Sequence, residues 1–267
     1  LTRSRPQTTA ATVVSQIIYT MTEKERYLAF AQAVQDYSTV DAATKRTVEN
    51  AAMLAPRSEP VLITGETGTG KELIARILHG TRSGEFSTVN TTAVTDTLFE
   101  SELFGHLKGS FTGAFRDKTG LVEHAVNGTL FLDEIGDMPY DLQAKVLRFI
   151  QFSTYRKVGD NEERTANCRV IAATCAPLQD LIASGRFRKD LYYRLSTFAL
   201  HLTPLRERPY DAVHYVGENL DKSIEDSDYD TFLDYASNAT LEGNYRELEQ
   251  AILRYEVLKE LPTQSRR

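Results

Sequence analysis

Only two cysteines, Cys168 and Cys175, occur among the 267 residues. That excludes a disulfide framework, argues against a cysteine-based metal cluster, and fits two free thiols in a reducing cytoplasm. Positive charge is also scarce: 31 Lys and Arg against 37 Asp and Glu leave a formal net charge of -6. A chain-wide basic surface gripping nucleic acid by phosphate neutralisation is thereby excluded, although a local basic loop is not. No apolar run approaches a membrane span, and the opening LTRSRPQTTAATVVSQ lacks the apolar core of a secretory signal. Internal repeats and low-complexity tracts are missing too. What is present is ordinary: 41% hydrophobic and 25% charged residues suffice for one large α/β domain with a small appendage.

Along the chain, the first 20 or so residues are polar, Thr-rich and without period, and read as an arm. Glu23 to Tyr37 carries Tyr27, Leu28, Ala31 and Val34 at helical spacing, and Asp41 reads as the N-cap of a second helix reaching Leu54, closed by Pro56. Val61 to Thr64 reads as a short buried strand, followed by a glycine-rich turn and helical spacing from Glu72 to His79. Further strands are expected at Ser87 to Asn90, Thr129 to Asp133 and Arg169 to Thr174, with a helix at Asp141 to Gln151. Strands alternating with helices predict a parallel sheet covered on both faces. From Pro209 onward only helices are expected, at Asp211 to Lys222, Tyr229 to Ser237 and Tyr245 to Lys259. The expected division is an arm and helix at 1–40, an α/β core at 41–208 and a small all-helical domain at 209–267.

GETGTGK, from Gly65 through Glu66, Thr67, Gly68, Thr69 and Gly70 to Lys71, has the spacing G-x-x-x-x-G-K between a strand and a helix. Glycines let successive N–H groups turn toward one centre, the helix amino end favours negative charge, and Lys71 supplies a cation for the outer phosphates. Glu72 stands where a magnesium-binding hydroxyl is usual, which shifts the metal onto Asp133 and water. In TLFLDEIGDMP, Asp133 and Glu134 end a buried strand and so face the ligand crevice of an open α/β sheet. Asp133 is expected to orient Mg2+ and Glu134 to polarise the attacking water. Seen alone, such an acidic pair is more often a solvated loop entry; together with a phosphate loop it indicates nucleotide hydrolysis.

The set GETGTGKELIAR, ESELFGHLKGSFTGA, LFLDEIGDMP, FRKDLYYRL, PLRER and GNYREL, in that order, closely resembles the AAA+ domain of sigma-54-dependent transcription activators, over about Asp41 to Tyr255. The resemblance implies a P-loop NTPase AAA+ core with a helical lid, ATP and Mg2+ as cofactors, and assembly into a hexameric-type ring. It implies as partners the sigma-54 factor and RNA polymerase holoenzyme, whose closed complex such a ring remodels. Gly109, Ser110, Phe111, Thr112, Gly113 and Ala114 match the family's GAFTGA loop with serine for one alanine, so Phe111 and Thr112 would contact the sigma factor. An exposed aromatic on a glycine-hinged loop is physically apt for this; a hairpin tip with Phe111 folded back is the alternative.

Other roles carry over singly. Asn90 matches the polar switch residue that relays phosphate state to Glu134. Thr174 falls at the first sensor, followed by Cys175 where the family has a polar side chain. Arg188 and Arg194 match the arginine-finger region that acts on a neighbour's nucleotide, and Arg246 the second sensor on the lid. Arg206 and Arg208 suit structural ion pairs. Leu241 and Glu242 replace the family's Trp-Pro, and no helix-turn-helix is recognised after Tyr255, so no DNA-binding domain is expected in this chain. About 40 residues before the core are fewer than a typical sensory domain needs. Two alternatives stay open: a nucleotide-binding regulatory module without remodelling activity, and an AAA+ motor with another client.

Overall fold

Strands that are apolar along their whole length need cover on both faces, and the computed structural model, which describes residues 23–91, 96–221 and 224–262, provides it. The arm expected over the first 20 or so residues lies outside the described residues, as does Lys222, and the helix expected to reach Lys222 already ends at Asn219. Helix α1 (Glu23–Asp36) and helix α2 (Ala42–Leu54) precede strand β1 (Val61–Gly65). Helix α3 (Lys71–His79), strand β2 (Phe86–Asn90), helix α4 (Asp96–Phe104), strand β3 (Thr129–Asp133), helix α5 (Tyr140–Phe152) and strand β4 (Arg169–Thr174) follow. Helix α6 (Lys189–Leu195) and strand β5 (Phe198–Leu202) close the core, and helices α7 (Pro209–Asn219), α8 (Asp226–Asn238) and α9 (Tyr245–Leu258) form the lid.

The sheet runs β2-β3-β4-β1-β5 with every pairing parallel. Alternation along each strand divides its side chains between two cores. Leu62, Leu130, Leu132 and Ala172 pack with Phe99, Leu103, Val146 and Leu191 on one face. Val61, Ile63, Phe131 and Ile171 pack with Val48, Ile74 and Leu78 on the other. The lid has its own core around Leu205, Val216, Phe232, Leu248 and Ile252.

Local chemistry accounts for several boundaries. Asp41 caps α2, its carboxylate accepting from Thr44 N at 2.7 Å, as its position predicts. In α1, Val34 packs on the second core in keeping with the expected spacing, but Leu28 is exposed and Phe30 and Ala33 pack there as well, with Tyr37 just beyond the helix buried among them. Packing against α3 selects that face. The α1 segment thus belongs to the core body and is not a separate arm.

The lid is joined to the core at three places. Arg206 forms a two-point pair with Glu66 at 2.6 Å each, and Arg208 pairs with Asp211 at 2.8 Å in full burial. Buried Asn244 accepts from Leu205 N at 2.7 Å and donates to Thr67 O at 3.0 Å. Both arginines therefore have the structural role expected of them, and Asn244, with a left-handed φ of 53°, is a joint between lid and phosphate loop.

Candidate functional site

A parallel sheet has its crevice at the carboxyl ends of its strands, where the strand order reverses. Here β1 lies between β4 and β5 although β2 follows it in sequence, so the turn after β1 opens beside the ends of β3 and β4. A cavity of about 760 Å³ occupies that place. It is lined by Thr67, Gly68, Gly70, Lys71 and Glu72 from the turn and α3, Asn90 from β2, Asp133 and Glu134 from β3, and Arg246 from the lid.

The turn is shaped by close approaches. At Gly68, φ +77, a Cβ would lie 2.2 Å from Gly243 O, and at Gly70, φ +97, one would lie 2.7 Å from the Tyr37 ring. Tyr245 N donates to Gly68 O at 3.1 Å, so the lid rests directly on the phosphate loop. Lys71 is buried at the base of α3 and donates to Gly65 O at 2.9 Å and Glu66 O at 3.1 Å. Its ammonium is also 3.5 Å from Glu134 Oε1.

Glu134 has left-handed backbone, φ 52°, a conformation that costs a residue with a Cβ roughly 1 kcal/mol or more. Thr91 Oγ1 donates to its carbonyl, and its Oε2 accepts from Cys175 N at 2.8 Å. Asp133 Oδ1 accepts from Glu134 N at 3.1 Å. Burial, followed by the Glu134 charge and, more weakly, that of Glu72, raises the Asp133 carboxyl above its ordinary value despite Lys71. Hard carboxylate oxygens crowded by like charge suit a divalent cation, and Mg2+ needs only one or two protein carboxylates beside phosphate and water. Among the described residues no group of three or more His, Cys, Asp or Glu is placed to hold a metal unaided.

The other expected residues fall in different places. Asn90 is exposed at the end of β2, paired in register with Asp133. Thr174 is buried and its hydroxyl accepts from Ala176 N at 2.9 Å, so it shapes the turn after β4 while the next residue, Cys175, lines the cavity. Arg246 is exposed, its stem against Gly68. Arg188 pairs with Asp190 at 2.9 Å, and Arg194 is exposed in a second cleft with Arg82, Arg169 and Thr197. That cleft lies at the amino ends of β3 and β4, roughly 15 Å of strand away from the first cavity. Neither arginine lines the cavity that holds Lys71.

GSFTGA forms the tip of a hairpin whose base pairs Gly105–His106 with Lys118–Thr119. Gly109 N donates to Ala114 O at 2.8 Å, and Gly109 and Gly113 have φ of +82 and +103 with open space beside them. Phe111 departs from the expected exposed position: half-buried, it stands edge-on to His106 with centroids 5.0 Å apart, and Ser101 holds His106 at 2.7 Å. Thr112 is exposed as expected, Ala114 is buried, and the aromatic in solvent is Phe115, at 85% exposure. Serine replaces alanine where Ser110 packs toward Gly159 of the neighbouring loop.

The far wall of the cavity has no local signature in the sequence. Asp36, Tyr37 and Ser38 face Tyr215, Glu218 and Tyr245 there, and the Tyr215 and Tyr245 rings lie 5.1 Å apart. Only the helical spacing of α1 hinted that this segment was packed at all.

Comparison with known proteins agrees with this geometry. The sigma-54-dependent transcriptional activator SfnR of Pseudomonas putida is 49% identical over 176 residues, covering 63% of this chain and 48% of SfnR. The Nif-specific regulatory protein of Azospirillum lipoferum is 44% identical over 209 residues, 75% of this chain and 34% of that protein. The chain thus spans between about a third and half of the curated relatives it matches. NtrX from Brucella abortus, solved in complex with ADP, superposes with a TM-score of 0.73 at 28% identity over 89% of this chain and 54% of NtrX. The architecture is that of the AAA+ proteins, a parallel α/β core with a helical part after it. Residues 38–201, more than half of the sequence, match the sigma-54 interaction domain, and the chain belongs to that family.

Proposed function

We propose that the chain is an ATP-hydrolysing AAA+ motor that assembles as a ring and remodels the sigma-54 RNA polymerase closed complex through the GSFTGA loop. The observation that carries this reading is the meeting of Lys71, Asp133 and Glu134 at the mouth of one cavity, with Lys71 Nζ 3.5 Å from Glu134 Oε1. ATP would lie with its phosphates on the N–H groups of Gly68 to Lys71 and its base toward Tyr37 and Tyr215. Lys71 would leave the Gly65 and Glu66 carbonyls for the outer phosphates. Glu134, released from Lys71, would accept a proton from the attacking water. Mg2+ would be held by Asp133 and supplies neutralisation of phosphate charge. Arg246 would follow the nucleotide from the lid, Asn90 would sense it from β2, and Thr174 would set the turn that carries Cys175.

Arg194 and Arg188 lie on a different part of the surface from this chain's own cavity, so a guanidinium acting in catalysis from there would serve the nucleotide of a neighbouring copy. The name of SfnR, and the family to which this chain belongs, support sigma-54 as the client. Phe111 against His106 would be the retracted state of the loop, with Thr112 and Phe115 outward.

Steady-state ATP turnover tests the enzymatic half. Turnover should be abolished by Lys71→Ala together with nucleotide affinity. Glu134→Gln should lower kcat by roughly 10²-fold or more while a fluorescent ATP analogue still binds. Full turnover in Glu134→Gln would contradict the assignment of the base.

A further inference from the structure

The phosphate loop carries an acid of its own. Glu66 is the second residue of GETGTGK, and its carbonyl accepts from the Lys71 ammonium at 3.1 Å. One side chain separates that carbonyl from the Glu66 carboxylate, so the carboxylate and the ammonium lie within about 10 Å, the Debye length at 0.1 M salt. An anion bound at Lys71 would be repelled by a bare carboxylate at that range. Arg206, in the turn between β5 and α7, meets this charge: Nη1 and Nη2 donate to the two carboxylate oxygens at 2.6 Å each, whereas Glu207 is 4.0 Å from Nη2. Asn244 Nδ2 adds a longer contact to Oε2 at 3.4 Å. Hydrogen bonding from Arg206 holds the Glu66 carboxyl below its ordinary range against partial burial, so the acid is fully charged at neutral pH. Thr67, Gly68, Gly70 and Lys71 line the cavity, while the Glu66 carboxylate is engaged on the Arg206 side of the loop.

We propose that Arg206 is a positioning residue for nucleotide binding: it neutralises Glu66 and holds that carboxylate away from the phosphates, so that the loop offers a triphosphate only its N–H groups and Lys71. The inference rests on the ATPase reading given above. Without Arg206 the Glu66 side chain is free to turn toward Lys71 and compete with phosphate for the ammonium. The requirement is for charge, since both members of the pair are well exposed, at 39% and 41%, and little packing is at stake. A carboxylate removed together with its arginine leaves nothing to compensate, which separates this role from one in which Arg206 merely joins two segments.

Binding of a fluorescent ATP analogue and steady-state turnover of the full chain test this. Arg206→Ala should raise both Kd and KM about fivefold, the upper range for an exposed ion pair, with kcat changed less than about twofold. Arg206→Lys, which keeps the charge but not the two-point fork, should recover most of the loss. Glu66→Gln combined with Arg206→Ala should bring Kd back to within about twofold of the unsubstituted chain, because no carboxylate is then left unpaired. The loss in Arg206→Ala should also shrink as KCl rises from about 0.05 M to about 0.5 M. A double variant as weak as Arg206→Ala, an Arg206→Lys no better than Arg206→Ala, or an unchanged Kd in Arg206→Ala overturns the charge role while leaving the ATPase reading intact. Absence of nucleotide binding in the unsubstituted chain overturns both.

Discussion

At His79 the fold holds a histidine in the form that dilute acid would remove. The ring sits at the end of α3 with Nδ1 2.9 Å from Thr129 Oγ1. Burial, and then the charges of Arg82, Arg76 and Arg169, lower its pKa from 6.5 to about 4. The unfolded chain takes up this proton near pH 6.5, the folded chain only near pH 4, so the stabilisation is complete above about pH 6.5 and is lost as the pH falls toward 4. At about 1.4 kcal/mol per unit, its ceiling is roughly 3 kcal/mol. Urea midpoints at about pH 7 and about pH 4.5 should differ by less in His79→Gln than in the unsubstituted chain; an unchanged difference would mean that other groups carry the acid sensitivity.

Among the elements, legibility followed how local the cause was. Asp41 as a cap depends on a residue three positions away, and β3 and β4 are unbroken apolar runs, so their bounds matched expectation to the residue. Strand β5, reading FALHL, was missed because its alternating pattern looks like a link between two motifs; only pairing with β1 makes it a strand. Phe111 was expected outward because glycines flank it, whereas its position depends on His106, itself held by Ser101. The Tyr37, Tyr215 and Tyr245 wall is assembled from segments far apart in sequence and has no local signature. The phosphate loop and the acidic pair were visible because their chemistry demands fixed spacing. At Gly159, φ +81, a Cβ would lie 2.5 Å from Ser110 Cβ. Gly159→Ala should therefore push the GSFTGA hairpin away from its neighbour. We expect faster proteolysis between Leu107 and Asp117 with nucleotide affinity unchanged; equal protection would show that the two loops are not coupled by this contact.

For the whole molecule, the phosphate loop lies on a different part of the surface from Arg194 of α6 and Arg188 just before it, and the lid is fastened to the phosphate loop through Glu66, Thr67 and Gly68. On the proposed reading, a subunit built this way would sense nucleotide through its lid and would lend its arginines to a neighbouring copy. Mixing inactive Lys71→Ala with inactive Arg194→Ala should therefore recover activity, since random assembly gives about a quarter of interfaces both an intact Lys71 and an intact Arg194. No recovery at any ratio would place both residues in one subunit's site. The proposed action on sigma-54 is tested by native gel electrophoresis of the chain with purified sigma-54 in ADP and aluminium fluoride. A stable complex that requires the nucleotide mimic and disappears with Thr112→Ala is the expected result; no complex, in a chain that still hydrolyses ATP, would contradict it.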